Sequence, residues 1–190
     1  MLNKSSLSRI WQKTQDHSCG IISGYRDEND KSKNQKNNRE IMAYLMKKGY
    51  SVTKVKGAYV ENKGEKDEKE VSEPSLFVCN QEVDGDDKGA LEADLKKLGK
   101  AYDQDSVLII PVGGKKAYLV GTTKRKNDFL PYGQKMVVGS SSFGGAKGEF
   151  YSKVNNRQFT YESTISINSM SDRWVNKVLA ERAEDKLNML

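Results

Sequence analysis

Ser106-Val107-Leu108-Ile109-Ile110-Pro111-Val112-Gly113-Gly114-Lys115-Lys116-Ala117-Tyr118-Leu119-Val120 is the stretch that decides the fold class. An apolar run, a Gly-Gly turn and a second β-prone run predict two antiparallel strands joined as a hairpin. Just upstream, Leu91, Leu95, Leu98, Ala101 and Tyr102 recur at helical spacing. A helix feeding directly into a hairpin points to an α+β chain.

Working towards the N-terminus, residues 74–79 read as a buried strand, with Pro74 at its first position, where proline is tolerated. Residues 50–55 are β-prone, and Gly57-Ala58-Tyr59-Val60 continues or turns that strand. Between them, residues 61–73 form a charge run without apolar period, expected as a mobile surface loop. Ile41, Met42, Leu45 and Met46 mark a helix that stops at Gly49, with Asn37 and Glu40 resembling a capping box at its start. Residues 26–38, almost all charged or amide, are expected as an exposed loop. A glycine-bounded strand covers residues 20–25, and Leu7, Ile10 and Trp11 belong to a short first helix.

Towards the C-terminus, residues 136–138, 149–151 and 159–161 suggest three short strands. Ser169 and Asp172 cap a last helix whose Trp174, Val175, Val178, Leu179, Ala183 and Leu187 share one face. Residues 40–60 and 92–120 echo each other as helix, glycine, tyrosine, strand, glycine and an Ala-Tyr motif. Two helix–strand units of one layered fold explain that echo without duplication. The expected architecture is a single α+β domain over residues 1–190, with a mixed or antiparallel sheet and helices mainly on one face. Residues 20–121 form its core unit, 122–165 a β-rich extension and 166–190 a closing helix.

The 190-residue chain carries a net charge of +6, but its charge is segregated. Residues 1–60 sum to +7, 61–105 to −7 and 106–190 to +6. The basic ends invite a nucleic-acid reading; the acidic block and the predominance of lysine favour plain solubility. The longest apolar run is far too short to span a bilayer, and the N-terminus lacks a signal-peptide pattern. Two cysteines, Cys19 and Cys79, make no disulfide framework. A cytoplasmic protein without membrane contact is expected.

Familiar catalytic motifs fail on inspection. His17 is the sole histidine, too little for a zinc site or a nucleophile–base pair. The Gly139–Gly148 segment lacks the lysine and hydroxyl of a phosphate loop. Residues 84–89 place Lys88 where a calcium loop needs oxygen. No metal and no cofactor are expected. What remains is a dispersed polar set at the ends of elements: Arg26, Asn37, Arg39, Glu73, Gln104 and Asp105. Such residues also serve turns and caps. If a small-molecule or phosphate site exists, the two arginines suit planar anions while amides and carboxylates set orientation.

The same positions carry a resemblance. Ile22-Ser23-Gly24-Tyr25-Arg26, Asn37-Asn38-Arg39, Lys48-Gly49-Tyr50, Glu73-Pro74-Ser75-Leu76-Phe77-Val78 and Tyr102-Asp103-Gln104-Asp105-Ser106-Val107 resemble an uncharacterised family. It comprises small bacterial domains and longer hypothetical proteins of tailed bacteriophages. The resemblance covers residues 20–165 and implies a phage or phage-derived accessory protein without catalytic residues to carry over. It would act by binding a host or phage protein, in the host cytoplasm or the virion. Two alternatives stand beside it: a nucleic-acid binder using the basic and aromatic β-rich part, and a nucleotide-ligand binder or enzyme using the arginine-lined rim.

Overall fold

The computed structural model describes residues 6–61, 69–114, 117–123, 130–139, 150–154, 157–158 and 170–189. In chain order the elements are α1 (Ser6–Asp16), β1 (Cys19–Ile22), α2 (Lys31–Lys47), β2 (Ser51–Glu61), β3 (Lys69–Cys79), α3 (Ala90–Ala101), β4 (Ser106–Ile110), β5 (Ala117–Gly121), β6 (Lys135–Gly139), β7 (Phe150–Val154), β8 (Arg157–Gln158) and α4 (Met170–Asn188). The strands form one sheet in the order β6-β5-β4-β1-β3-β2-β7-β8, with every neighbouring pair antiparallel.

At its centre lie two interlocked units. β1-α2-β2 straddles β3, while β3-α3-β4 straddles β1, giving the inner order β4-β1-β3-β2. This is the split β-α-β arrangement, and it accounts for the sequence echo: α2 and α3 are its two crossover helices. The α+β single-domain expectation holds, and the sheet is antiparallel.

Alternation along the strands sorts the core into two layers. Leu76 and Val78, Val107 and Ile109, Ile22, Val52 and Val120 face α2 and α3, where Ile41, Leu45, Leu91, Leu95 and Leu98 meet them, all buried. The opposite face carries Cys19, Val55, Phe77, Cys79, Ile110 and Ala117 beneath Ile10 of α1. α4 packs on α2 and α3, with Ala183 buried in the larger layer and Leu187 at its margin. Leu179, expected to be buried with Trp174 and Val178, is half-buried; the side chains of the other two lie outside those described.

Two expectations change. The loop expected over residues 26–38 ends at Asp30, whose carboxylate accepts from the Lys33 backbone N–H at 2.7 Å and so caps α2. Asn37 is therefore not a cap. It sits inside the helix with Asn34, and both are buried, because their amides bond the chain leaving β1 instead of solvent. Residues 57–60 continue β2, and Glu61 and residues 69–73, expected as part of a loop, belong to strands instead, so that β2 and β3 form an eleven-residue pair running from Ser51↔Cys79 to Glu61↔Lys69. Residues 62–68 and the glycine-rich segment 140–148 lie outside the described residues, as does the strand expected over 159–161.

Asp30→Ala is expected to destabilise the protein by about 1 kcal/mol through loss of the α2 cap. Chemical denaturation would show it as a lowered midpoint at unchanged slope.

Candidate functional site

β1 is only four residues long, and where it ends the chain must leave the sheet between β3 and β4. That exit, residues 23–26, makes no strand ladder, so its backbone groups need other partners. α2 supplies them. The Gly24 N–H donates to Asn38 Oδ1 at 3.0 Å, and Asn37 Nδ2 donates to the Gly24 carbonyl at 3.4 Å. The Arg26 N–H donates to Asn34 Oδ1 at 3.0 Å, and Asn34 Nδ2 returns a bond to the Arg26 carbonyl at 2.9 Å. From the other side, Gln104 Nε2 donates to the Tyr25 carbonyl at 3.3 Å. Three asparagines at positions 34, 37 and 38 of α2 thus act as a substitute strand.

Contact with α2 is close. A Cβ added at Gly24 would stand 2.7 Å from Asn38 N and 2.9 Å from the Asn37 carbonyl carbon, so only glycine lets the two backbones meet.

This scaffold delivers Arg26. Its side chain is 14% exposed and its fork is occupied: Nε and Nη2 donate to the two Glu28 carboxylate oxygens at 2.9 and 3.0 Å. Nη1 donates to Asp105 Oδ1 at 3.2 Å and to the Asp103 carbonyl. Glu28 above all, together with Asp105, holds the guanidinium more firmly protonated than usual against the cost of its burial.

Glu73 completes the site from β3. It is half-buried, and its carboxyl is pushed up to about 7. Burial is the main cause; Asp27 and Asp105 add to it, while Ser23 and Arg26 oppose it. The Ser23 hydroxyl also donates to the Pro74 carbonyl at 3.1 Å and accepts from the Tyr25 N–H at 3.0 Å. Glu73 therefore hovers between acid and base near neutrality, the state suited to proton transfer. Its surroundings combine one cation, Arg26, with the carboxylates of Asp27, Glu28 and Asp105, so the rim favours a positively charged ligand.

Of the residues singled out from sequence, the structure brings together Arg26, Glu73 and Asp105 as charged groups, and Asn37 and Gln104 as supports of the chain beneath them. Arg39 stands apart. It is exposed, two positions along α2 from buried Asn37 and Ile41 on either side, hence on the opposite face of the helix. The planar anion grip expected of the two arginines is thus replaced by one arginine already paired with carboxylates. Asn34, Asn38, Asp27 and Glu28 lie outside the set that sequence singles out; amides at helix positions 34, 37 and 38, next to a glycine exit, are the signal for the first two. Among the described residues, no three His, Cys, Asp or Glu side chains converge as metal ligands, and no helix is long and apolar enough to cross a membrane.

Comparison with known proteins then bears on the chemistry. No curated protein matches the chain. A family model described as the S-adenosylmethionine lyase family matches residues 20–174, a span that includes every residue of the rim. The finding overturns the expectation of a non-catalytic phage accessory protein that acts by binding a host or viral partner, and the viral and virion assignments fall with it. Metal ligands and paired nucleophiles leave a recognisable spacing in a sequence; a single strand-borne carboxyl raised by burial, like that of Glu73, leaves none.

Proposed function

The chain belongs to the S-adenosylmethionine lyase family, and from that membership we propose that it breaks a carbon–sulfur bond of S-adenosylmethionine at the Glu73–Arg26 rim. The family match carries the reading; the rim's electrostatics agree with it. The substrate's sulfonium is a permanent cation, and a rim with more carboxylates than cations attracts one. When a carbon–sulfur bond breaks, its electron pair returns to sulfur and the positive charge becomes a neutral thioether. No metal or external nucleophile is required.

The carbon left behind must be satisfied from within the substrate, by losing a neighbouring proton or by closing a ring onto the substrate's own carboxylate. In the first case Glu73 accepts the proton; in the second it holds the substrate ammonium while the ring closes. Arg26, fixed by Glu28 and Asp105, keeps Glu73 from rising further in pKa and so keeps a fraction ionised at neutral pH.

Incubating the purified chain with S-adenosylmethionine, in buffer free of any methyl acceptor, tests this. The expected result is one thioether released per substrate consumed, with a rate that climbs as pH rises through about 7, the value of Glu73. Unchanged substrate, or consumption only when a methyl acceptor is added, would overturn it.

A further inference from the structure

Beyond the rim, a cluster around one buried carboxylate joins three helices, its cation, Lys186, being 38% exposed. Glu40 of α2 is 1% exposed, among the most enclosed side chains of the core. Its Oε2 accepts from the Tyr102 hydroxyl at 3.0 Å and from Lys186 Nζ at 3.2 Å. The Lys186 ammonium also lies 4.1 Å from the centre of the Tyr102 ring, a cation–π contact. Lys186 belongs to α4 and lies past residue 174, where the family match ends. A carboxylate this deep is costly unless fully paired, and here its partners come from α4 and from the end of α3.

Tyr102 leads straight into the rim. It caps α3, its N–H donating to the Leu98 carbonyl at 2.9 Å while the Asp103 N–H donates to the Lys100 carbonyl at 3.4 Å. The next residue, Asp103, adopts φ 58, the left-handed conformation in which helices commonly end and which aspartate tolerates better than most residues. It is the Asp103 carbonyl that receives Arg26 Nη1. Gln104 then ties the turn down: its N–H donates to the Gly99 carbonyl at 2.8 Å, its side chain bridges the Tyr102 and Tyr25 carbonyls, and its own carbonyl accepts from Thr122 Oγ1. Asp105, the second Arg26 partner, ends the turn.

We propose that Glu40, Tyr102 and Lys186 form a clamp that positions Arg26 for the lyase reaction, with α4 closing it. The three are positioning residues: they act on the 102–105 turn, which carries two of the partners of Arg26. The assignment rests on the lyase reading for its catalytic consequence, though its structural half stands independently of substrate.

Lys186→Met keeps the apolar stem and removes the charge; Tyr102→Phe removes only the hydroxyl; Lys186→Arg is the conservative restoration. In each full-length variant, the Arg26 guanidinium N–H signal in 15N NMR and the kcat and KM for S-adenosylmethionine are measured. The clamp predicts that Lys186→Met and Tyr102→Phe shift or broaden the Arg26 signal. It predicts a kcat about ten- to a hundredfold lower with KM changed less than threefold, and recovery of both readouts in Lys186→Arg. An Arg26 signal and kcat equal to those of the wild type in folded Lys186→Met and Tyr102→Phe would overturn it. If the wild-type chain itself leaves S-adenosylmethionine intact, the lyase reading fails, and the Arg26 signal alone still decides the clamp.

Discussion

Replacing Glu73 by Gln is expected to lower the lyase rate by about two to four orders of magnitude and, in the same protein, to raise its stability above neutral pH. Both effects come from one cause. The half-buried carboxyl holds its proton up to about 7 against an ordinary value of 4.5. Between those values the native state binds more protons than the unfolded chain, so this group's contribution to stability falls as pH rises through the window. The loss begins above about pH 4.5 and is complete above about 7. Glutamine has the same shape without a charge to bury and escapes it, by at most about 3 kcal/mol. Thermal unfolding of both proteins from pH 4 to pH 8 would show the variant's advantage growing with pH. A variant that turns over at the wild-type rate, or whose advantage is the same at pH 4 and pH 8, would sink the assignment.

Gly24→Ala is expected to damage fold and site together. The added methyl would press on the α2 backbone at Asn37 and Asn38 within 3.0 Å, and neither side has a flexible end that could give way. Overpacking of this kind costs about 1–3 kcal/mol. The strain is relieved most easily by lifting residues 23–26 off the helix, which loosens the Asn38 and Asn37 bonds to Gly24 and moves Arg26. A shift of about 1 Å in a positioned group can cost a hundredfold in rate. Asn38→Ala, which removes one of these bonds without adding bulk, should cost only about 1 kcal/mol. Melting curves and kcat for the pair separate crowding from bond loss; equal effects in the two variants would contradict the close-approach argument.

The fold was legible wherever apolar spacing was strong. Leu91, Leu95 and Leu98, and the strand pair around Gly113-Gly114, were readable because burial dictates their period. Local spacing starts α2 too late, because Asn34 and Asn37 look like surface residues by composition. Their burial depends on bonds to residues 24 and 26, a tertiary fact that local spacing does not contain. The same holds for the site. Arg26, Glu73 and Asp105 could be nominated as polar groups at element ends. That Arg26 reaches Asp103 and Asp105, or that Glu73 is raised towards neutrality by burial and by Asp27, follows from neighbours more than forty residues away. Arg39 shows the converse: two positions along a helix are enough to remove a residue from a site that Asn37 supports.

The strand order has a consequence for how the molecule is made. β1 lies in the middle of the inner sheet, yet both its partners, β3 and β4, arrive later in the chain. Ser23 meets the Pro74 carbonyl across 51 residues, and Arg26 meets Asp105 across 79. Closing loops of that length costs entropy before any contact repays it, so folding is expected to be slow for a chain of this size. A growing polypeptide that ends before β4 has an unpaired edge where the inner sheet should continue, and an Arg26 without its Asp105. Catalytic competence therefore arrives in a single late step, and on denaturation activity and global unfolding should trace the same curve.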